Sequence, residues 1–277
     1  FYSHSYLLEV NKLTTNPNDA DSDGDGVGDG DEIANGTNPN IAESSGTVPV
    51  NSWDQLGNII SGTQTGDVYA HPQRISLSKD GNRFAAANKS SGVEVYEFSS
   101  NAWIKIGQSI NTGGQEMAKV ALSSDGSYLI FGSGMISQAS VYQFVDDNWS
   151  QMGATLSRPG SGFGNAVAIS DDGGIIAIGD WLDDEAGENA GKVTIYQFVD
   201  GEWSQLGNSI LGKYAGDHFA RRGLDLSSNG YRVAIDNYGS SVPNGSHSGN
   251  LRIYEYNSNL GWYQLGDDIS GIALDDR

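Results

Sequence analysis

Between residues 163 and 207 the apolar positions fall into four short groups, and the rest of the chain beyond residue 50 repeats that grouping. Residues 166–170 form one apolar run, Asp172 and Gly173 interrupt it, and residues 175–179 form a second. Two such runs joined by an Asp-Gly pair predict adjacent antiparallel strands. A polar loop leads to residues 192–198, where polar and apolar side chains alternate with the period of two that a strand imposes. After the turn pair Asp200 and Gly201, Trp203 opens a short fourth run that closes at Gly207.

The same landmarks recur in order. Trp53, Trp103, Trp149, Trp203 and Trp262 open the fourth-strand motif at spacings of 50, 46, 54 and 59 residues, each followed four positions on by Gly57, Gly107, Gly153, Gly207 and Gly266. First-to-second-strand turns lie at 78–81, 123–126, 170–173 and 227–230, and third strands at 93–98, 140–144, 193–198 and 251–256. A period near 50 with four strands per period predicts an all-β fold, a β-propeller-type array of four four-stranded antiparallel blades. Five copies of the Trp strand accompany four sets of the other three, and Ile210 to Asp217 and Ile269 to Asp276 share one spacing. The array is therefore expected to be cut and to form an incomplete ring with an exposed edge at each end, because four blades are the lower limit for closure.

Composition narrows the function. Among 277 residues 38 are Gly and 18% are charged, with a net charge of -20. That balance argues against a nucleic-acid partner and against anionic membrane surfaces, both of which need Lys and Arg. No apolar run reaches the length of a spanning helix, so no membrane insertion is expected. The absence of Cys excludes disulfides and thiol chemistry. The first residue is Phe1, so any leader segment is expected to lie upstream of it.

The acidic charge concentrates at the front, where residues 1–50 hold nine acids against Lys12 alone. Asp21, Asp23, Asp25, Gly26, Val27, Asp29 and Glu32 fall at positions 1, 3, 5, 6, 7, 9 and 12 of a twelve-residue loop. A hard cation needs six to eight oxygens. Carboxylates at alternate positions, a Gly for the sharp turn, a backbone carbonyl at Val27 and a bidentate Glu32 supply that shell for Ca2+. Two copies of an acidic-apolar turn running into Thr-Asn-Pro-Asn flank the loop, ending at Asn18 and Asn40. This front stretch, residues 7–42, resembles the thrombospondin type 3 calcium repeats of bacterial surface proteins. The resemblance implies Asp21, Asp23, Asp25, the Val27 carbonyl and Glu32 as metal ligands, with Asp29 binding directly or through water. The domain reading is a calcium-binding module at 1–42, a small, polar linker at 43–50, and propeller repeats at 51–277.

The repeats at 51–277 are similar to the FG-GAP-type propeller repeats of secreted bacterial proteins. Phe163 and Gly164 match the FG element, and Phe219 and Ala220 match it more loosely. The blades lack the Asp-rich loop of that family's calcium-binding members. Residues 180–188, with Asp180, Asp183, Asp184, Glu185 and Glu188, are read either as a cation loop or as an acidic solvated turn.

Catalytic constellations are not legible. His4, His71, His218 and His247 stand singly, no Gly-x-Ser-x-Gly elbow occurs, and the adjacent acids Asp171 and Asp172, or Asp267 and Asp268, point to opposite faces of a strand. The regularly placed Trp residues read as inter-blade packing. Trp181 lies outside that register and is the candidate exposed binding aromatic, while Arg221 and Arg222 read as a charged loop edge. The expectation is a non-catalytic, calcium-binding fragment of an extracellular or cell-surface protein, used for adhesion or scaffolding with a surface protein or glycan as partner. The alternative is a carbohydrate-binding or polysaccharide-hydrolysing propeller with its site in the blade loops or in further blades.

Overall fold

Four residues suffice to build the turn between the first two strands of each blade. The Ser78 hydroxyl donates to Asp80 Oδ1 at 2.6 Å and accepts the Arg83 N–H at 2.9 Å, and Asp80 Oδ1 also accepts the Asn82 N–H at 3.0 Å. Ser123 with Asp125, Ser170 with Asp172, and Ser227 with Asn229 repeat these bonds. The following Gly81, Gly126, Gly173 and Gly230 take φ between 68° and 74°, which a residue without Cβ adopts at no steric cost. Hydrogen bonds from Ser170 and the Gly174 N–H hold the Asp172 carboxyl below the ordinary carboxylate range.

The computed structural model describes residues 21–22, 28–31, 55–61, 74–88, 91–113, 118–159, 161–239 and 249–270. Contacts divide the chain into two compact units, Phe1–Leu56 and Gly57–Arg277. The second unit consists of four antiparallel sheets in chain order. Blade 1 comprises β1 (Ile75–Leu77), β2 (Arg83–Asn88), β3 (Gly92–Ser99) and β4 (Ala102–Ile110). Blade 2 comprises β5 (Lys119–Leu122), β6 (Tyr128–Ser133), β7 (Gln138–Val145), β8 (Asn148–Gln151) and β9 (Leu156–Ser157). Blade 3 comprises β10 (Phe163–Ile169), β11 (Ile175–Asp180), β12 (Lys192–Val199), β13 (Glu202–Gln205) and β14 (Ile210–Leu211). Blade 4 comprises β15 (Phe219–Leu226), β16 (Arg232–Asn237), β17 (Asn250–Asn257), β18 (Gly261–Gln264) and β19 (Ile269–Ser270). The first four strands of each blade are hydrogen-bonded in sequence order.

The short fifth strands β9, β14 and β19, which pair back onto the third strand, go beyond the four expected from the pattern. Their cause lies in the Trp-x-Gln-x-Gly motif. Gly153, Gly207 and Gly266 take φ of 70°, 70° and 75° and reverse the chain. The preceding Gln clamps the reversal: Gln205 Nε2 donates to the Gly207 carbonyl at 3.0 Å and to Ser209 Oγ at 3.3 Å, and Gln151 and Gln264 do the same. In the first copy of the motif, the described residues 55–61 contain no strand.

The hydrophobic core lies between the blades. Ala85, Val93 and Val95 of blade 1 pack on Val120, Leu122, Leu129 and Phe131 of blade 2. Strand period divides β11 in the same way, with Ile176 and Ile178 packed on blade 2 and Ile175 and Ala177 on blade 4. Two glycine contacts of opposite direction then fix each interface. In the first, the Gly of the Trp motif lies against the Trp and the aromatic of the next blade. A Cβ at Gly107 would stand 2.7 Å from Trp149 and 3.2 Å from Phe144, and Gly153 meets Trp203 and Phe198, Gly207 meets Trp262 and Tyr256, and Gly57 meets Trp103 and Phe98 in the same way. The indole N–H of Trp203 donates to the Met152 carbonyl and that of Trp262 to the Leu206 carbonyl, both at 2.8 Å. Gln108 and Asn208 accept the backbone N–H of the facing Trp. In the second contact, the turn glycine of each blade lies on a side chain of the blade before: Gly126 on Arg83, Gly173 on Tyr128, Gly230 on Ile175.

Ala at Gly107 and at Gly266 meets the same left-handed backbone cost of about 1–2 kcal/mol, but only Gly107 has a facing indole, since no described atom lies within 4 Å of a Cβ at Gly266. Gly107→Ala is therefore expected to destabilise the chain by about 1–3 kcal/mol more than Gly266→Ala in urea unfolding. Equal losses would show that the glycine contact does not hold the blades.

Candidate functional site

Of the expected metal ligands, Asp21 and Asp29 lie among the described residues, whereas Asp23, Asp25, Val27 and Glu32 lie outside them. Asp29 is buried and begins a short helical turn. One of its carboxylate oxygens accepts the Ser22 N–H and the other the Ser22 hydroxyl, each at 2.7 Å. Among the described residues no three His, Cys, Asp or Glu side chains converge as a metal centre.

Residues 180–188 form a salt-bridge cluster. Lys192 Nζ lies 2.7 Å from Asp183 and 2.8 Å from Glu185, and Arg158 lies 3.3 Å from Asp180 and 3.6 Å from Asp183. Asp180, almost wholly buried, also accepts the Gly162 N–H at 2.9 Å. Burial opposes the Lys192 charge, yet the hydrogen bonds to Asp183 and Glu185 outweigh it and raise its pKa. Protein cations thus occupy the place that a metal takes in the cation-loop reading.

Trp181 is half-buried rather than exposed. The Arg221 guanidinium lies 4.6 Å from its ring centre, His218 lies 5.2 Å away, and Arg221 and Arg222 both lie over Tyr238, at 4.6 Å and 4.2 Å. Arg221 and Arg222, read as a loop edge, belong to β15 and reach this stack through a bulge that shifts the register between Phe219 and Leu224. Burial, and then the Arg221 charge, push the His218 imidazole below its ordinary value. The FG element has the same local geometry in both copies. Phe163 and Phe219 are buried, and Gly164 and Ala220 take left-handed φ of 90° and 58°.

A second charged cluster has no counterpart in the sequence reading. Arg252 and Asp217 are wholly buried, with Arg252 Nε donating to Asp268 at 3.0 Å and Arg252 Nη2 lying 3.8 Å from Asp217. Burial opposes ionisation of Asp268, but hydrogen bonds from Lys213, Gln264 and Arg252 prevail and hold it at about 2. The available signal was positional, because Arg252 falls at a third-strand position where Glu94, Ser140 and Thr194 are also buried and polar. Residues of the four first strands, among them Ser76, Lys119, Ala168 and Asp225, also line a cavity of about 340 Å³. Burial, and then the charge of Arg74, lower the Lys119 pKa.

Residues 157–196 match the family model described as FG-GAP repeat. No curated protein matches the chain. Among solved structures, a protein from Lactobacillus plantarum is 20% identical with a TM-score of 0.52, covering 74% of this chain and 57% of its own. A putative 6-phosphogluconolactonase from Bacteroides uniformis is 13% identical with a TM-score of 0.49, covering 70% and 53%. Hydrazine synthase from Kuenenia stuttgartiensis is 15% identical with a TM-score of 0.49, covering 77% and 53%. The chain thus spans 53–57% of the length of these structures. At 20% identity the likeness to the Lactobacillus plantarum protein is one of fold alone, and it agrees with an all-β propeller-type array that carries an FG-GAP repeat at 157–196. Among the described residues no helix is long and apolar enough to cross a membrane.

Asp236 accepts the N–H groups of Arg222 and Gly223 at the β15 bulge, and burial pushes its carboxyl up to about 6 despite those bonds and the nearby Arg charges. A raised carboxyl pKa favours the folded state below the unfolded value of 3.8, and that contribution is lost as pH rises from there through about 6. Asp236→Asn, which keeps an acceptor oxygen, is expected to raise stability at pH 7 by about 1–3 kcal/mol. It is expected to leave stability at pH 4 nearly unchanged. Thermal melts across this range check it, and a pH-independent effect would remove the titration as its cause.

Proposed function

We propose that this chain is a non-catalytic, calcium-binding part of an extracellular or cell-surface protein, in which an acidic spacer stiffened by Ca2+ carries a β-propeller used for adhesion or scaffolding. The carrying observation is the spacing of oxygen-bearing residues over 21–32, which fits a hard cation, and within it Asp29 accepts both the Ser22 N–H and the Ser22 hydroxyl. Asp21, Asp23, Asp25, the Val27 carbonyl and Glu32 would hold the ion, and Asp29, already orienting Ser22, would contribute directly or through water. Bound calcium supplies neutralisation of carboxylates that otherwise repel one another. At a free concentration tenfold above Kd the linked stabilisation is about 1.4 kcal/mol, which suits a calcium-rich setting outside the cell.

The propeller's part in this reading is presentation of loops to a surface protein or glycan. Its blades are held by paired glycine contacts, and the charged loop at 180–188 is tied down by Lys192 and Arg158. A sugar-binding or polysaccharide-hydrolysing propeller is the competing reading. It requires an open aromatic face, and the Arg221 guanidinium over Trp181 favours the scaffold instead. Calorimetric titration with calcium is expected to show a site in the chain that is lost in Asp21→Ala/Glu32→Ala, with a higher Tm only where the site is present. Absence of binding at millimolar calcium would reduce the front module to a solvated acidic segment. Turnover of any polysaccharide, or glycan binding lost in Trp181→Ala, would replace the scaffold reading.

A further inference from the structure

A buried ammonium group needs a counter-charge, and Lys119 has none among the described residues. It opens β5 and is 7% exposed, yet its side chain makes no ion pair and no hydrogen bond with any of them. The other deeply buried cations of the array behave differently: Lys192 has Asp183 and Glu185 at 2.7 Å and 2.8 Å, and Arg252 has Asp268 at 3.0 Å. Lysine is almost never buried unless paired, because desolvation disfavours its charge. Here the neighbouring charge has the same sign, since buried Arg74 lies near enough to lower the Lys119 pKa beyond what burial does. The burial arises inside the array. Lys119 pairs with Gly132 of β6, and a Cβ at Gly132 would stand 2.5 Å from the Gly164 carbonyl oxygen and 2.6 Å from Val167 of blade 3.

Lys119 lines the cavity of about 340 Å³, a volume in the range of small-molecule sites. Much of the wall is apolar, with Val120, Val167, Ile169 and Leu224. Counting back from the turn serines places the charges at two levels. Arg74 and Lys119 stand four residues before Ser78 and Ser123, a level that blades 3 and 4 fill with Ala166 and Gly223. Asp225 stands two residues before Ser227, level with Ser76 and Ala168. Two residues of strand put the cations and this acid about 7 Å apart along the strand direction. Ser76 Oγ accepts the Leu122 N–H at 3.0 Å, which leaves its hydroxyl proton to donate. Asp225 is exposed and accepts the Leu226 N–H at 3.0 Å.

We propose that this cavity binds a small organic monocarboxylate, with its carboxylate on Lys119 and its apolar body along Val120, Val167 and Leu224. Each part of that class answers a feature of the cavity. The ammonium and the Arg74 charge beside it call for an anion. Apolar walls select an anion with a hydrocarbon body over a strongly hydrated inorganic one. Asp225, farther along the strands, repels a second carboxylate and so selects against a dicarboxylate. The site does not depend on the calcium reading, and its test is run in EDTA, so a negative result leaves that reading as it stands.

The experiment is calorimetric titration of the whole chain with hexanoate, adipate and 1-hexanol, and of Lys119→Met with hexanoate. The native chain is expected to bind hexanoate with a submillimolar Kd, and adipate and 1-hexanol at least about tenfold more weakly. Lys119→Met keeps an unbranched side chain without the charge and is expected to bind hexanoate at least about tenfold more weakly than the native chain. Circular dichroism checks that the variant is folded, and the comparison of the three compounds is made on the native chain and stands without it. No binding of hexanoate at about 10 mM, adipate or 1-hexanol bound as tightly as hexanoate, or a folded Lys119→Met chain with undiminished affinity would each overturn the proposal.

Discussion

Close approach of a glycine to a neighbouring blade's indole is the constraint on which the rest of the array depends. The Trp side chain buries a large area only if the facing backbone has no Cβ, and the same glycine must adopt a left-handed φ to turn the chain into the fifth strand. One residue therefore serves two geometries that would otherwise compete. Because the indole N–H donates to the carbonyl just before that glycine, the ring is also oriented. The turn glycine works in the opposite direction across the same interface. A blade held at its outer rim by one glycine and at its inner hairpin by the other cannot slide or tilt without breaking one of them.

Electrostatics differ from blade to blade on this common frame. The polar third-strand position bonds to the residue two beyond the Trp-motif glycine in each case: Glu94 to Ser109, Ser140 to Thr155, Thr194 to Ser209, Arg252 to Asp268. Blades 2 and 3 use neutral hydroxyl pairs, which cost little to bury. Blade 4 uses an ion pair whose arginine is fully desolvated, and Asp217 beside it supplies a second counter-charge. Removing one member leaves an uncompensated buried charge, which costs more than the intact pair contributes. Blade 4 thus buries a charge at a position that blades 2 and 3 fill with neutral hydroxyl groups.

The fold was legible because its determinants are local and repeat. A Ser-x-Asp-Gly turn carries its own hydrogen bonds, and strand period alone assigns Ile176 and Ile178 to one face and Ile175 and Ala177 to the other. The fifth strands escaped notice because two apolar residues such as Ile210 and Leu211 are too few to show a period. The candidate site was less legible. Residues 180–188 look like a cation loop along the chain, but whether their acids face a metal or a cation of the protein depends on Arg158 and Lys192, which only the fold brings to them. Trp181 looks free because its covering residue, Arg221, lies forty positions away across a bulge. In each of these cases the chemistry-bearing residue is visible in the sequence and its partner is not.

This separation bears on where binding chemistry resides in such an array. A side chain that satisfies its own neighbours is a poor ligand, since recruiting it means breaking an existing pair before a new one forms. By that reasoning the tied-down charges at 180–188 and the stacked Trp181 are structural in the first instance.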